Sequence, residues 1–504
     1  MTYSRPGVYI SERLLQAPIA GGNLATAAGA VVAPFPQGPE TVTKVNSWYE
    51  FTKAFGGYNA SYPATFQVAS FFNNRGTELY VKRIMHSDAA SASIPLQTSG
   101  GQTVATVTAK NAGSDGNNLR VTVSAGTGSG YYNLTLTRET VSGTAQDTTN
   151  DILLEQYNNV VFNDASSSDY APTVINLVSP NISVAVSGSG TIASAIYPLA
   201  GGSNGSTPVA ADYTSYKSTG DSVFAEFDSV NRPLVIFLPE IDVTLATIGV
   251  PEVYEAAIAW ADANNGFVVA ETGADVTNSG ALSFATSLGA SSNAAVYYPH
   301  MFVTDPVGRS SGALRKIGPS AAIAGLYLAT DATAGVFKAP AGLTAQVQGV
   351  VALEKQFTSA ELDAINSAQF PVNPIRQLPG AGAVVMGART LLQDGTANKY
   401  VNMRRSLINI KKNLENLTQF AVFQNNDEKL WAQINTVISV FLNDYRNQGG
   451  LRGATAAQAF YVKCDAENNT AATIANGEVH IQVGVALEYP AEFVVIDLSQ
   501  ITQN

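Results

Sequence analysis

The chain has 504 residues, of which 45% are apolar, and its 28 Lys and Arg against 39 Asp and Glu leave a formal net charge of −11. Only 13% of the residues are charged, about half the usual share, so the surface is neutral-polar and suits a chain covered by other chains. The acidic balance argues against nucleic acid, no apolar run nears the ~20 residues of a membrane span, and a single cysteine, Cys464, excludes an intrachain disulfide or a Cys-rich zinc site.

In chain order, residues 1–22 read as an arm. Pro6-Gly7 punctuates, Val8-Tyr9-Ile10 forms a short β-like run, and Gly21-Gly22 closes the segment. The first residues lack the charged-then-apolar pattern of an export leader, so the expected setting is a reducing cytoplasm. Residues 23–88 open an α/β core, with a strand over 28–32, an aromatic stretch over 48–62 and a second strand at Leu79-Tyr80-Val81.

From 89 to 206 the composition turns to Ser, Thr, Gly and Asn. Short alternating runs at 104–107, 119–123, 132–136 and 182–186 predict an inserted all-β domain, with 201–206 as its exit linker. Residues 207–372 return to α/β grammar. The continuous apolar run 233–238 predicts a strand buried on both faces, followed by a helix over 252–264 and strands over 266–270 and 297–303. With a buried helix over 321–328, this alternation predicts a mainly parallel sheet.

Residues 373–490 form a C-terminal α+β domain in this reading. One helix runs from 402 to 417. A second starts at the Asn426-Asp427 cap, carries a stripe from Leu430 to Tyr445 and stops at Gly449-Gly450. Residues 479–485 alternate strictly, as a half-buried strand does, and 491–504 read as a second arm with a strand over 493–498.

Candidate chemistry is sparse. Gly308-Arg309-Ser310-Ser311-Gly312 matches the nucleophile-elbow pattern, with His480 downstream in hydrolase order. An elbow needs a helix directly after the serine, whereas Pro319 follows within a few residues, so a loop is expected. His86, His300 and His480 lack ligand spacing and read as ordinary packed or exposed histidines. No phosphate-cradling motif occurs, and Cys464 reads as a small buried hydrophobe. Neither metal nor cofactor is expected.

Two features point to assembly instead. The helix over 402–417 carries Arg404, Arg405, Lys411 and Lys412 against one Glu415. Helical spacing places the four on one broad face, either simply solvated or docked to an acidic partner. The unblunted run Val494-Val495-Ile496 near the chain end can template pairing with another chain.

The residues themselves resemble contractile bacteriophage tail sheath proteins. The resemblance lies in Arg5-Pro6-Gly7-Val8-Tyr9-Ile10, Tyr297-Tyr298-Pro299, Gly318-Pro319-Ser320, Gly387-Ala388-Arg389-Thr390-Leu391 and Tyr400-Val401-Asn402-Met403-Arg404-Arg405-Ser406. It continues in Val462-Lys463-Cys464-Asp465, Val483-Gly484-Val485-Ala486 and Pro490-Ala491-Glu492-Phe493-Val494. It implies a central subtilisin-like but inactive α/β domain, and a C-terminal domain completed by strands exchanged between subunits. The exchanged arms would be Val8, Tyr9 and Ile10 and Val494, Val495, Ile496 and Leu498. The strand accepting them would include Val479, Ile481, Val483 and Val485, and Arg404, Arg405, Lys411 and Lys412 would face the inner tube.

The resemblance further implies a helical homo-oligomer of hexameric rings around a tail tube, with baseplate and tail-terminator partners, in a virion assembled in the host cytoplasm. The sheath of a bacteriocin or another injection particle is the alternative within this class. A serine hydrolase using Ser310 is the alternative outside it.

Overall fold

The computed structural model describes residues 26–139, 151–215, 221–245 and 249–492. The chain divides into two compact units, one of Ala27–Thr333 with Ala339–Val401 and the other of Ala334–Lys338 with the chain from Asn402 onward.

The larger unit begins with β1 (Ala28–Ala33), β2 (Thr43–Val45), α1 (Trp48–Phe55), α2 (Ala64–Asn73) and β3 (Leu79–Arg83). Next come β4 (Ser93–Gln97), β5 (Thr103–Ala109), β6 (Leu119–Ala125), β7 (Tyr131–Arg138) and β8 (Ile152–Val161). Helix α3 (Ala171–Val178) precedes β9 (Ile182–Val186) and β10 (Ala195–Pro198). The alternation resumes with α4 (Ala210–Thr214), β11 (Leu234–Phe237), α5 (Ile241–Thr244), α6 (Val250–Asn264), β12 (Phe267–Glu271) and α7 (Asn278–Ser287). It closes with β13 (Ala294–Tyr298), β14 (Met301–Thr304), β15 (Leu314–Ile317), α8 (Ser320–Ala334), β16 (Val350–Leu353), α9 (Ser359–Ser367), β17 (Val372–Leu378) and β18 (Gly382–Val385).

Strands from both ends of this stretch make one sheet in the order β18-β17-β13-β12-β11-β1-β3-β2. From β17 to β3 the neighbours run parallel, with Gly29 opposite Val235, Val235 opposite Phe267 and Val296 opposite Val372. The strands β1, β11, β12 and β13 are buried at every position, as the continuous apolar runs demand of a sheet covered on both sides. Alternate residues serve the two faces. Ala30, Ile236, Val268 and Val296 join Val253, Tyr254 and Ala257 of α6 in one core. Phe237 stacks on Phe71 of α2 (5.5 Å), and Phe267 meets Tyr327 of α8 (6.0 Å), on the other.

Three expectations need correction in this unit. The run at 297–303 is not one strand: proline has no N–H for a ladder, and at Pro299 the chain leaves β13 to start β14, which pairs antiparallel with β15 and β16 in a separate sheet. The region from β4 to β10 is not all-β. Its two sheets, β10-β6-β7-β8 and β4-β5-β9, enclose a core of their own that includes Val107, Val121, Leu134 and Val184, and α3 adds Ala171 and Ile175 to it. Pro172 in the first turn of α3 costs that helix no hydrogen bond. Finally, 201–206 is no loose linker, because Ala90 and Ser203 exchange backbone hydrogen bonds of 2.9 Å and Asn117 grips both the N–H and the C=O of Gly202.

The smaller unit holds α10 (Val401–Thr418), α11 (Glu428–Asn447), α12 (Ala456–Ala459), β19 (Phe460–Lys463), α13 (Ala471–Ala475) and β20 (Gln482–Val485). Position 373, the expected boundary, lies inside β17, whose pairing with β13 ties it to the large sheet, and the units part at Asn402 instead. The smaller unit also reclaims 334–338, because Phe337 packs edge-on against Tyr445 (5.8 Å) and its carbonyl accepts from Asn402 Nδ2 (2.9 Å). The α11 cap forms as expected: Asp427 accepts from the Leu430 N–H at 2.9 Å, and Gly450 N–H closes the helix on Tyr445 O. Among the described residues no helix is long and apolar enough to cross a membrane.

Candidate functional site

The sheet of the smaller unit has two strands among the described residues, β19 and β20, paired antiparallel from Phe460 opposite Val485 to Lys463 opposite Gln482. A hairpin-sized sheet is marginal by itself, and here α11 supports it. Asn435 of α11 donates to Cys464 O (2.8 Å) where β19 ends, and Trp431 Nε1 donates to Asn426, which in turn donates to Glu478 O. None of the eight strand residues is fully buried, and Tyr461 is 53% exposed. Cys464 is buried, and desolvation pushes its thiol pKa up.

The strand expected over 479–485 is shorter than its alternation suggested. Val483 and Val485 lie in β20, whereas Val479 and Ile481 precede it. The cause is Asn469, whose side chain accepts from His480 N–H (2.7 Å) and donates to His480 C=O (3.1 Å), so a side chain rather than a ladder satisfies those groups. Val8, Tyr9, Ile10, Val494, Val495, Ile496 and Leu498 lie outside the described residues.

The basic helix α10 departs from the expected single face. Arg405 is 3% exposed and sits among buried Asn402, Ser406 and Asn413. Lys412 is largely buried and pairs with Glu415 at 3.0 Å, Arg404 is half-buried, and Lys411 is exposed. Hydrophobic periodicity could not reveal that polar residues occupy part of the buried stripe.

Ser310 is exposed in the loop joining β14 to β15, an antiparallel hairpin from Met301 opposite Ile317 to Thr304 opposite Leu314. A strand follows it, so the strand-to-helix turn of a nucleophile elbow is not formed there. His86 Nδ1 meets Asp212 Oδ2 at 2.8 Å, and His480 is exposed beside Glu478.

The densest buried polar chemistry lies at the carboxyl ends of β11, β12 and β13. Gln67 of α2 donates to both Glu240 Oε1 (2.9 Å) and Glu271 Oε1 (2.8 Å). Glu240 N–H also reaches Glu271 Oε1, Gly318 N–H reaches Glu240, and Ser320 N–H, at the start of α8, reaches Glu271 Oε2 at 2.9 Å. A carboxylate at a helix N-terminus is favourable. Gly318 is required beside it, because a Cβ there would lie 2.2 Å from Glu271 Oε2. Desolvation pushes both carboxyl pKa values up, and for Glu271 the charge of Glu240 adds to it.

Next to this pair, donor atoms of Glu240, Asp242 and His300 lie within 4.8 Å of one another. Burial holds the His300 imidazole pKa well below its usual value. His300 reads in the sequence as an ordinary histidine, and nothing there relates it to Glu240 or Asp242, because it lies far from them in the chain and the three follow no ligand spacing; strand order brings them together.

No family profile matches the chain. The tail sheath protein of Vibrio phage KVP40 is 28% identical over 176 residues, which is 35% of this chain and 25% of that protein. Nearly the whole chain superposes on sheath structures. The contracted helical sheath of the anti-feeding prophage matches with a TM-score of 0.60 at 22% identity, covering 99% of this chain and 100% of that one. The sheath tail protein of Listeria innocua matches with a TM-score of 0.60 at 14% identity, covering 92% and 96%. Over about a third of its length the chain is similar in sequence to phage tail sheath proteins, and it shares the fold of sheath structures.

The family resemblance read from the sequence agrees with these names. The mixed α/β multi-sheet architecture is the sheath fold. The sequence match spans about a quarter of the phage sheath relatives' length.

Proposed function

We propose that the chain is the sheath subunit of a contractile phage tail, or of a related injection particle. Copies stack as hexameric rings around an inner tube and shorten to drive it through a target envelope. Arms carrying Val8, Tyr9 and Ile10 and Val494, Val495, Ile496 and Leu498 of neighbouring copies extend the β19–β20 sheet. Head-to-tail contacts of that kind do not close on themselves and so build helical tubes. The role is mechanical rather than enzymatic, and baseplate and tail-terminator proteins cap the polymer.

The observation that carries this reading is the two-stranded sheet whose residues all stay part-exposed, in a chain of sheath fold. An incomplete sheet is a template for added strands. On α10, exposed Lys411 is the best placed of the four basic residues to meet an acidic tube. Such rim contacts contribute about 0–1 kcal/mol each, weak enough for the sheath to release.

Negative-stain microscopy of the purified full chain tests the proposal. Striated tubes are expected, and their loss on deleting residues 1–22 and 491–504. Compact monomers or trimers from the intact chain, or polymers that survive the double deletion, would overturn it.

A further inference from the structure

The larger unit contains a set of side chains that polymerisation does not explain. His300 is 1% exposed, and neither ring nitrogen has a hydrogen-bond partner. Buried polar atoms are rarely left so. Its neighbours Glu240 and Asp242 offer oxygens within 4.8 Å of the ring and of each other, and Asp242 Oδ1 is likewise buried without a partner. Among the described residues no Lys or Arg forms an ion pair with Glu240, Asp242 or Glu271: Arg315 is taken by Asp305, and Lys316 by Asp275 and Glu354. Three carboxyl groups and an imidazole thus converge without a direct ion pair, the charges of Arg315 and Lys316 acting on them only from their own partners' positions.

The backbone fixes this convergence. Glu240 follows β11, Asp242 lies in α5, and His300 follows β13 behind Pro299, with its carbonyl accepting from Glu354 N–H at 2.9 Å. In open α/β sheets, ligands bind beyond the carboxyl ends of the parallel strands. Asp242 is half-buried, the most exposed of the three.

We infer that Glu240, Asp242 and His300 bind a divalent transition-metal cation, with zinc the best fit. One imidazole and two carboxylates are a mixed nitrogen–oxygen set. Imidazole disfavours magnesium and calcium, and a set without thiolate disfavours copper(I). Zinc takes three such ligands and fills its fourth position with water. Ligands at about 2.0–2.1 Å hold donor atoms roughly 3.3 Å apart, so small side-chain movements would close the observed cluster around the ion. There the cation would tie the end of β11 to the end of β13 and neutralise the carboxyl groups. In that position the ion would brace two strand ends of the large sheet, and no reaction is assigned to it.

The test uses the full chain, stripped with EDTA and desalted, then given ZnCl2 alone. About one zinc per chain should remain after a second desalting, and the thermal midpoint should rise by several degrees as zinc increases. Failure of the unaltered chain to retain zinc, or a midpoint indifferent to it, overturns the proposal without any variant. H300Q should abolish retention. D242N, at a half-buried position that folding tolerates better, should weaken zinc affinity at least tenfold. Equal retention by the parent chain and D242N would place the ion elsewhere and overturn the assignment, as would magnesium giving the same shift in place of zinc.

Discussion

Every residue of β11, β12 and β13 is buried, and each of these strands has a partner along both edges. No residue of β19 or β20 is buried, and among the described residues each has only the other. The large sheet draws its stability from its own chain, through α2 and α8 on one face and α6 on the other. The small sheet is held from behind by α11, and among the described residues no third strand joins it. A subunit that must stay rigid while its connections to neighbours bend would need both arrangements.

The sharpest way to break this contrast is to delete packing in each sheet. F237A removes a fully buried ring stacked on Phe71 and should destabilise the larger unit by about 3–5 kcal/mol, read as a lower urea midpoint. V483A trims a part-exposed residue of β20 and should cost the isolated chain less than about 1 kcal/mol while reducing tube formation in negative stain. Equal losses of chain stability from the two changes would abolish the distinction.

A smaller effect sharpens it at the surface of the larger unit. The hydrogen bond from His86 to Asp212 raises the imidazole pKa above its usual 6.5. A raised folded value means that the pair's stabilisation is fully present below about 6.5 and is lost as pH rises through the folded pKa. NMR titration of the His86 ring should show a midpoint above 6.5 that falls back in D212N.

Much of this architecture is legible in local sequence. The apolar runs of β1, β11 and β12, the cap at Asp427 and the stripe of α11 are each encoded within a window of a few residues to a few turns. What escapes is whatever depends on distant partners. The run over 297–303 looks uniform, and Pro299 divides it between two sheets. Arg405 reads as a surface charge, yet the fold buries it. Asn469 shortens β20 from outside the strand. Gln67, Glu240, Glu271 and His300 lie on four separate elements, and no periodicity relates residues whose neighbourhood is set by strand order. The strand over 479–485 and the helix over 402–417 both form, the strand shorter and the basic helix less exposed than their sequence suggests.

The chain enters the β4–β10 lobe at Ala90 and leaves it at Ser203 through paired backbone bonds, with Asn117 locked to Gly202 and Asp88 holding Ser206. Arg83 of β3 adds a tie close to this stem by donating to Ala112 O at 2.7 Å. Loops beyond that stem can lengthen, shrink or be exchanged without shifting the register of β3 against β1 or β1 against β11. Variation within this lobe can therefore leave the framework of the large sheet unchanged.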